Sequence, residues 1–76
     1  MVLARIAGIG FNTVPGKFYF DCYWIDNAVP GSHSSNNIVY VDVVDINKPN
    51  KITAQILDSI STSSGVPISD IVLTGL

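Results

Sequence analysis

Two Pro-Gly pairs, Pro15-Gly16 and Pro30-Gly31, divide the first two thirds of the chain into three apolar runs. Pro15-Gly16 suits the central positions of a type II turn, because proline presets φ near −65° and glycine accepts positive φ. Pro30-Gly31 lies at the centre of a turn-forming stretch that extends from Asp26 to Asn37. The runs on either side read as strands. Val2 to Phe11 is apolar with Gly8 and Gly10 near its end, which suggests a strand that is bulged or closely approached by another backbone there. Lys17 to Ile25 is dominated by aromatic and β-branched residues, and Asn36 to Ile46 is rich in Val and Ile. Connections this short favour antiparallel neighbours, so the three strands are expected to form a meander.

After Asn47 the hydrophobic period changes. Ile52, Ile56, Leu57 and Ile60 recur at helical spacing, with Thr53, Gln55, Asp58 and Ser59 on the other side. Asn47 or Asn50 can cap the start, and Pro49 is tolerated in the first turn. Gly65 suits a left-handed C-terminal position, and Pro67 prevents continuation. Ser69-Asp70 makes a polar turn before a short closing strand, Ile71-Val72-Leu73. The expected fold class is therefore α+β, in the order βββαβ: an antiparallel three-stranded meander, then one amphipathic helix packed on one sheet face. A right-handed crossover makes the short fourth strand parallel to the third, and a contact with the first strand would also be parallel.

Length sets the scale of the core. At 76 residues the whole chain, residues 1–76, reads as one domain. A chain of this size buries roughly 60% of its unfolded surface, so it has a small core and often relies on a disulfide, a metal or a partner. The lone Cys22 excludes an internal disulfide, and no Cys/His cluster offers a metal site. Charged residues make up only 13% of the chain against 47% apolar. Apolar area is then expected at the surface, which favours self-association.

Alternation along the strands assigns the faces. Phe18, Phe20, Cys22 and Trp24, with Val39, Val41 and Val43, form the natural set against the helix. The opposite face then carries Tyr19, Asp21, Tyr23 and Ile25 beside Ile38, Tyr40, Asp42 and Val44, with Arg5 pointing the same way. No second helix is available to cover it. Tyr and Arg are enriched at interfaces because they combine contact area with a polar handle. Asp21 and Asp42 are candidate cross-strand neighbours, with Arg5 or tyrosine hydroxyls to satisfy them.

Other signals fail on spacing or charge. Five residues, not four, separate Gly10 from Gly16, and Phe18 replaces the Mg²⁺-binding hydroxyl, so this is no phosphate loop. Gly8-Ile9-Gly10 has Thr13 where a dinucleotide fingerprint needs its third glycine. Cys22 and His33 are the sole conventional nucleophile–base pair, but Cys22 falls on the core face, where cysteine behaves as a small hydrophobe. The permanent cations are Arg5, Lys17, Lys48 and Lys51, and the net charge is −2, a poor basis for nucleic-acid binding. No segment reads as a membrane span, and a free cysteine without a signal peptide points to a reducing, cytoplasmic setting.

The stretch from Ile38 to Leu73, with Gly65-Val66-Pro67-Ile68-Ser69-Asp70-Ile71 at its helix exit, resembles in architecture the β-α-β half of tautomerase-type proteins. That family's catalytic N-terminal proline has no match, since Val2 follows Met1. The expected function is a non-enzymatic interaction domain, without cofactor, that forms homo-oligomers through the open face or an edge strand. The alternative is a small-ligand or peptide binder using the 26–37 loop, with His33, and the Tyr/Asp face. The candidate residues are Arg5, Tyr19, Asp21, Tyr23, His33, Tyr40 and Asp42.

Overall fold

The computed structural model describes residues 1–11 and 14–75, without the side chain of Ser35. Strands β1 (Val2–Phe11), β2 (Lys17–Asp26) and β3 (His33–Asp42) are followed by a single 3-10 turn, Val43–Asp45. Helix α1 (Pro49–Ser64), a second 3-10 turn at Ile68–Asp70 and strand β4 (Ile71–Thr74) complete the chain. The result is a small α+β domain, a mixed sheet carrying one helix. The sheet order is β3-β2-β1-β4, antiparallel across β3-β2-β1 and parallel between β1 and β4. The crossover after β3 therefore carries β4 past β2 and β1 to the far edge, and the neighbour of β4 is β1.

Turn chemistry sets the hairpins. Lys17 N–H donates to the Val14 carbonyl at 3.1 Å, with Gly16 at φ 75°. Ser32 N–H donates to Val29 at 3.1 Å, with Gly31 at φ 84°. Both are the positive-φ third position that a type II turn requires. The expected turn residues Asn12 and Thr13 lie outside the described residues.

The third strand is displaced from its expected position. It was expected from Asn36 to Ile46, but it starts at His33, paired with Ile25, and stops at Asp42, paired with Lys17. The ladder decides both ends: β2 supplies a partner as early as Ile25 and none beyond Lys17. Past Asp42 the backbone turns to local bonds, Ile46 N–H to Val43 at 3.1 Å and Lys48 N–H to Asp45 at 2.9 Å. Val43 and Val44, assigned by alternation to opposite sheet faces, are instead both exposed on this turn.

The core lies between the sheet and α1. Phe18, Phe20, Cys22, Trp24, Val39, Val41, Val2, Ala4 and Ile71 meet Ile52, Ile56 and Ile60 of the helix. Each valine, isoleucine or phenylalanine among them contributes about 1.5–3 kcal/mol on burial. Helix α1 starts without the expected asparagine cap: Lys48 occupies the N-cap without a side-chain bond, and Pro49 follows it. Gly65 closes the helix in the left-handed conformation at φ 73°. Among the described residues no helix is long and apolar enough to cross a membrane.

One polar contact ties the helix to the edge strand. Asn37 points into the core side of β3, donates to Ser59 Oγ at 3.1 Å and accepts from Ser63 Oγ at 2.7 Å. Ser59 and Ser63 are four residues apart and so share a helix face. A buried asparagine is costly unless bonded, and these two serines satisfy it.

Candidate interaction surface

The sheet face away from α1 is organised in cross-strand rows. Val72, Leu3, Ile25 and His33 form one row, and Thr74, Arg5 and Tyr23 the next. Gly8, Asp21 and Ile38 follow, then Gly10, Tyr19 and Tyr40, then Lys17 and Asp42. All seven candidate residues thus belong to this face. Leu3, Ile25, Ile38, Tyr40 and Val72 are exposed on it.

The polar pairings differ from expectation. The Arg5 guanidinium lies over the Tyr23 ring, 5.5 Å from its centroid, and makes no ion pair among the described residues. Lys17 Nζ binds Asp42 Oδ1 at 2.6 Å. Asp21 and Asp42 are not cross-strand neighbours, because Asp42 opposes Lys17 and Asp21 opposes Ile38, with the Tyr19–Tyr40 row between them. Those two rings meet edge to face with centroids 6.1 Å apart. Asp21 Oδ1 is buried with no hydrogen-bond partner. The face thus holds an arginine without a carboxylate and a carboxylate oxygen without a donor.

His33 is also relocated. It was expected in a long loop spanning 26–37, but it opens β3, and only residues 27–32 lie between the two strands. Asp26, Val29 and Ser32 close that connection with backbone bonds of 2.9–3.3 Å. The ring Nδ1 of His33 lies 3.1 Å from the Gly31 carbonyl, which can only accept, so Nδ1 carries a proton. The connection is therefore six residues long and internally bonded, shorter than the loop expected over 26–37. Cys22 and His33 lie on opposite sheet faces, Cys22 among the core residues and His33 in the row with Ile25. Burial, reinforced by the charge of Asp21, pushes the Cys22 thiol up to about 11. At neutral pH it is a neutral, poorly nucleophilic group.

A second surface was not legible in the sequence. The register of β1 shifts between Ile6 and Gly8, and beyond this bulge Ile9 and Phe11 oppose Phe20 and Phe18, on the helix side. They remain 58% and 55% exposed, because the start of α1 does not reach over them. With Phe18, Phe20, Ile46, Pro49 and Ile52 they line an open apolar groove of about 290 Å³. Beside it the β4 pairing ends at Arg5 and Gly75 lies against the Ile6 backbone, and from Ala7 to Phe11 the outer edge of β1 has no strand partner among the described residues. The signal in the sequence was the bulge-prone Gly8-Ile9-Gly10 segment, but the phase reversal it causes has no signature in composition.

No family profile, curated protein or solved structure matches the chain.

Proposed function

We propose that the chain is a non-enzymatic interaction domain that assembles with copies of itself through the uncovered sheet face. The observation that carries this reading is the self-complementary character of that face. Among the described residues neither Arg5 nor the half-buried Asp21 carboxylate has an ion-pair partner, and both lie beside the exposed apolar row Val72–Leu3–Ile25. Two such faces stacked about a two-fold axis would set Arg5 of each copy against Asp21 of the other, with the apolar rows beside them. Strands about 4.8 Å apart and residues about 3.3 Å long give a face of roughly 600 Å² per copy. Two copies together bury about 1,200 Å², the lower bound for a stable interface. We take the setting to be reducing and cytoplasmic, which the free thiol of Cys22 supports.

A charge swap tests the reading. Arg5→Asp and Asp21→Arg are each expected to shift light-scattering mass toward the monomer, and the double variant to restore association. A wild-type chain that stays monomeric across a concentration series, or a double variant no better than the singles, would refute it.

A further inference from the structure

Glycine at position 8 follows the bulge of β1, yet no close contact within one chain excludes a side chain there. Its φ is not positive, and an added Cβ would meet only Asp21 Cβ at 4.0 Å, an ordinary contact. Gly10 differs, because the Tyr19 ring lies across it on the open face and leaves no room for a side chain. Between and after them, Ile9 and Phe11 face the helix side yet stay mostly exposed. The edge from Ala7 to Phe11 carries no charge and no proline, two of the features that guard an edge strand against pairing, and the bulge that could twist it away lies at its start, between Ile6 and Gly8. The opposite edge, β3, carries Ser34, Asn36 and Asp42 and contributes nothing to the groove.

We infer that this edge is a two-fold pairing site for β1 of a second copy, antiparallel and centred on Ile9. In that register Ile9 faces Ile9 of the second copy, Gly8 faces its Gly10, and Ala7 faces its Phe11. Each small residue then meets the larger demand of the other chain. The Tyr19 ring lying on Gly10 finds a glycine beside it, and Phe11 finds Ala7. Residues Ala7–Phe11, without a strand partner on this edge among the described residues, match the same five of the other chain, since β4 pairs with Val2–Arg5 and Gly75 lies beside Ile6 in each. The two apolar grooves then open on the same side of one continuous sheet, with Ile9 and Phe11 of both chains filling the space between the helices. This contact uses the edge and groove and is independent of the face contact proposed above.

Two measurements test it. Gly8→Val keeps an ordinary Cβ contact within the chain, so it is expected to fold with unchanged circular dichroism, but its branched side chain meets Tyr19 of the second copy. Edge association should weaken about tenfold or more. In a Cys22→Ala background, Ile9→Cys places two thiols directly opposite across the axis. Antiparallel partners lie about 4.5–5.5 Å apart at Cα, within disulfide range. Mild oxidation by copper phenanthroline, which accepts the two electrons, is expected to give covalent dimers far faster than with Phe11→Cys. Equal rates at the two positions, or a Gly8→Val chain that associates like wild type, would overturn the pairing. An added apolar peptide that binds the edge while no position-9 dimer forms would overturn it too. The Arg5/Asp21 charge swap leaves position-9 cross-linking unchanged, so failure of the face contact and failure of the edge contact read out separately.

Discussion

The Tyr19 ring occupies the space that a side chain at Gly10 would need, so the two residues form one cross-strand unit of β1 and β2. The ring also meets Tyr40 edge to face on its other side. Gly10→Ala must swing the ring away and break that aromatic pair, at a cost of about 1 kcal/mol. Gly8→Ala has no such neighbour and should gain about 0.5–1 kcal/mol from the lost backbone freedom of glycine. Urea denaturation of the two variants should therefore shift midpoints in opposite directions.

Asn37 holds α1 to the edge strand through Ser59 and Ser63. Asn37→Ala removes both bonds and leaves the hydroxyls of half-buried Ser59 and exposed Ser63 to find new partners. The expected loss is about 1–3 kcal/mol, or a fall in Tm of very roughly 4–8 °C per kcal/mol. Adding Ser59→Ala and Ser63→Ala to the Asn37 variant should cost less than the separate losses summed, because all three belong to one network. Additive losses in thermal scans would deny the coupling.

Asp45 is a buried carboxylate between Lys51 at 3.0 Å and Lys48 at 3.3 Å. The Lys51 bond, aided by Lys48 and opposed by burial, holds its carboxyl below the usual aspartate range. The unfolded chain therefore takes up this proton at higher pH than the folded one. Its contribution is complete above about pH 4 and is lost as pH falls further. Asp45→Asn should lower stability at neutral pH and flatten the acid limb of a stability–pH curve. An acid limb identical to wild type would show that the pair contributes nothing.

Cys22 gives the opposite limb. Its thiol is pushed up to about 11 by burial and then by Asp21, against about 8.5 for a free cysteine. The unfolded chain releases this proton first, so the contribution is complete below about pH 8.5 and is lost as pH rises toward 11. Denaturation midpoints should fall across that window in wild type and fall less in Cys22→Ala. At neutral pH a thiol reagent should modify Cys22 only as fast as the chain opens.

Local chemistry determined much of this protein from sequence alone. Proline and glycine act on φ within one or two residues, so the turns at Pro15-Gly16 and Pro30-Gly31 and the left-handed end of α1 at Gly65 were readable. Periodicity acts over a few residues, so the helix stripe Ile52, Ile56, Ile60 and the core alternation Phe18, Phe20, Cys22, Trp24 were readable too. The same alternation gathered Arg5, Tyr19, Asp21, Tyr23, Tyr40 and Asp42 on one face. Tertiary structure decided whatever depended on a partner elsewhere in the chain. The ends of β3 follow the length of β2, which placed His33 in a strand and Val43 and Val44 outside it. The bulge in β1 reversed its phase, turning Ile9 and Phe11 to the helix side, and the start of α1 left them uncovered. Ladder register and helix reach are long-range quantities, set by how hydrogen bonds and packed side chains close across the whole domain.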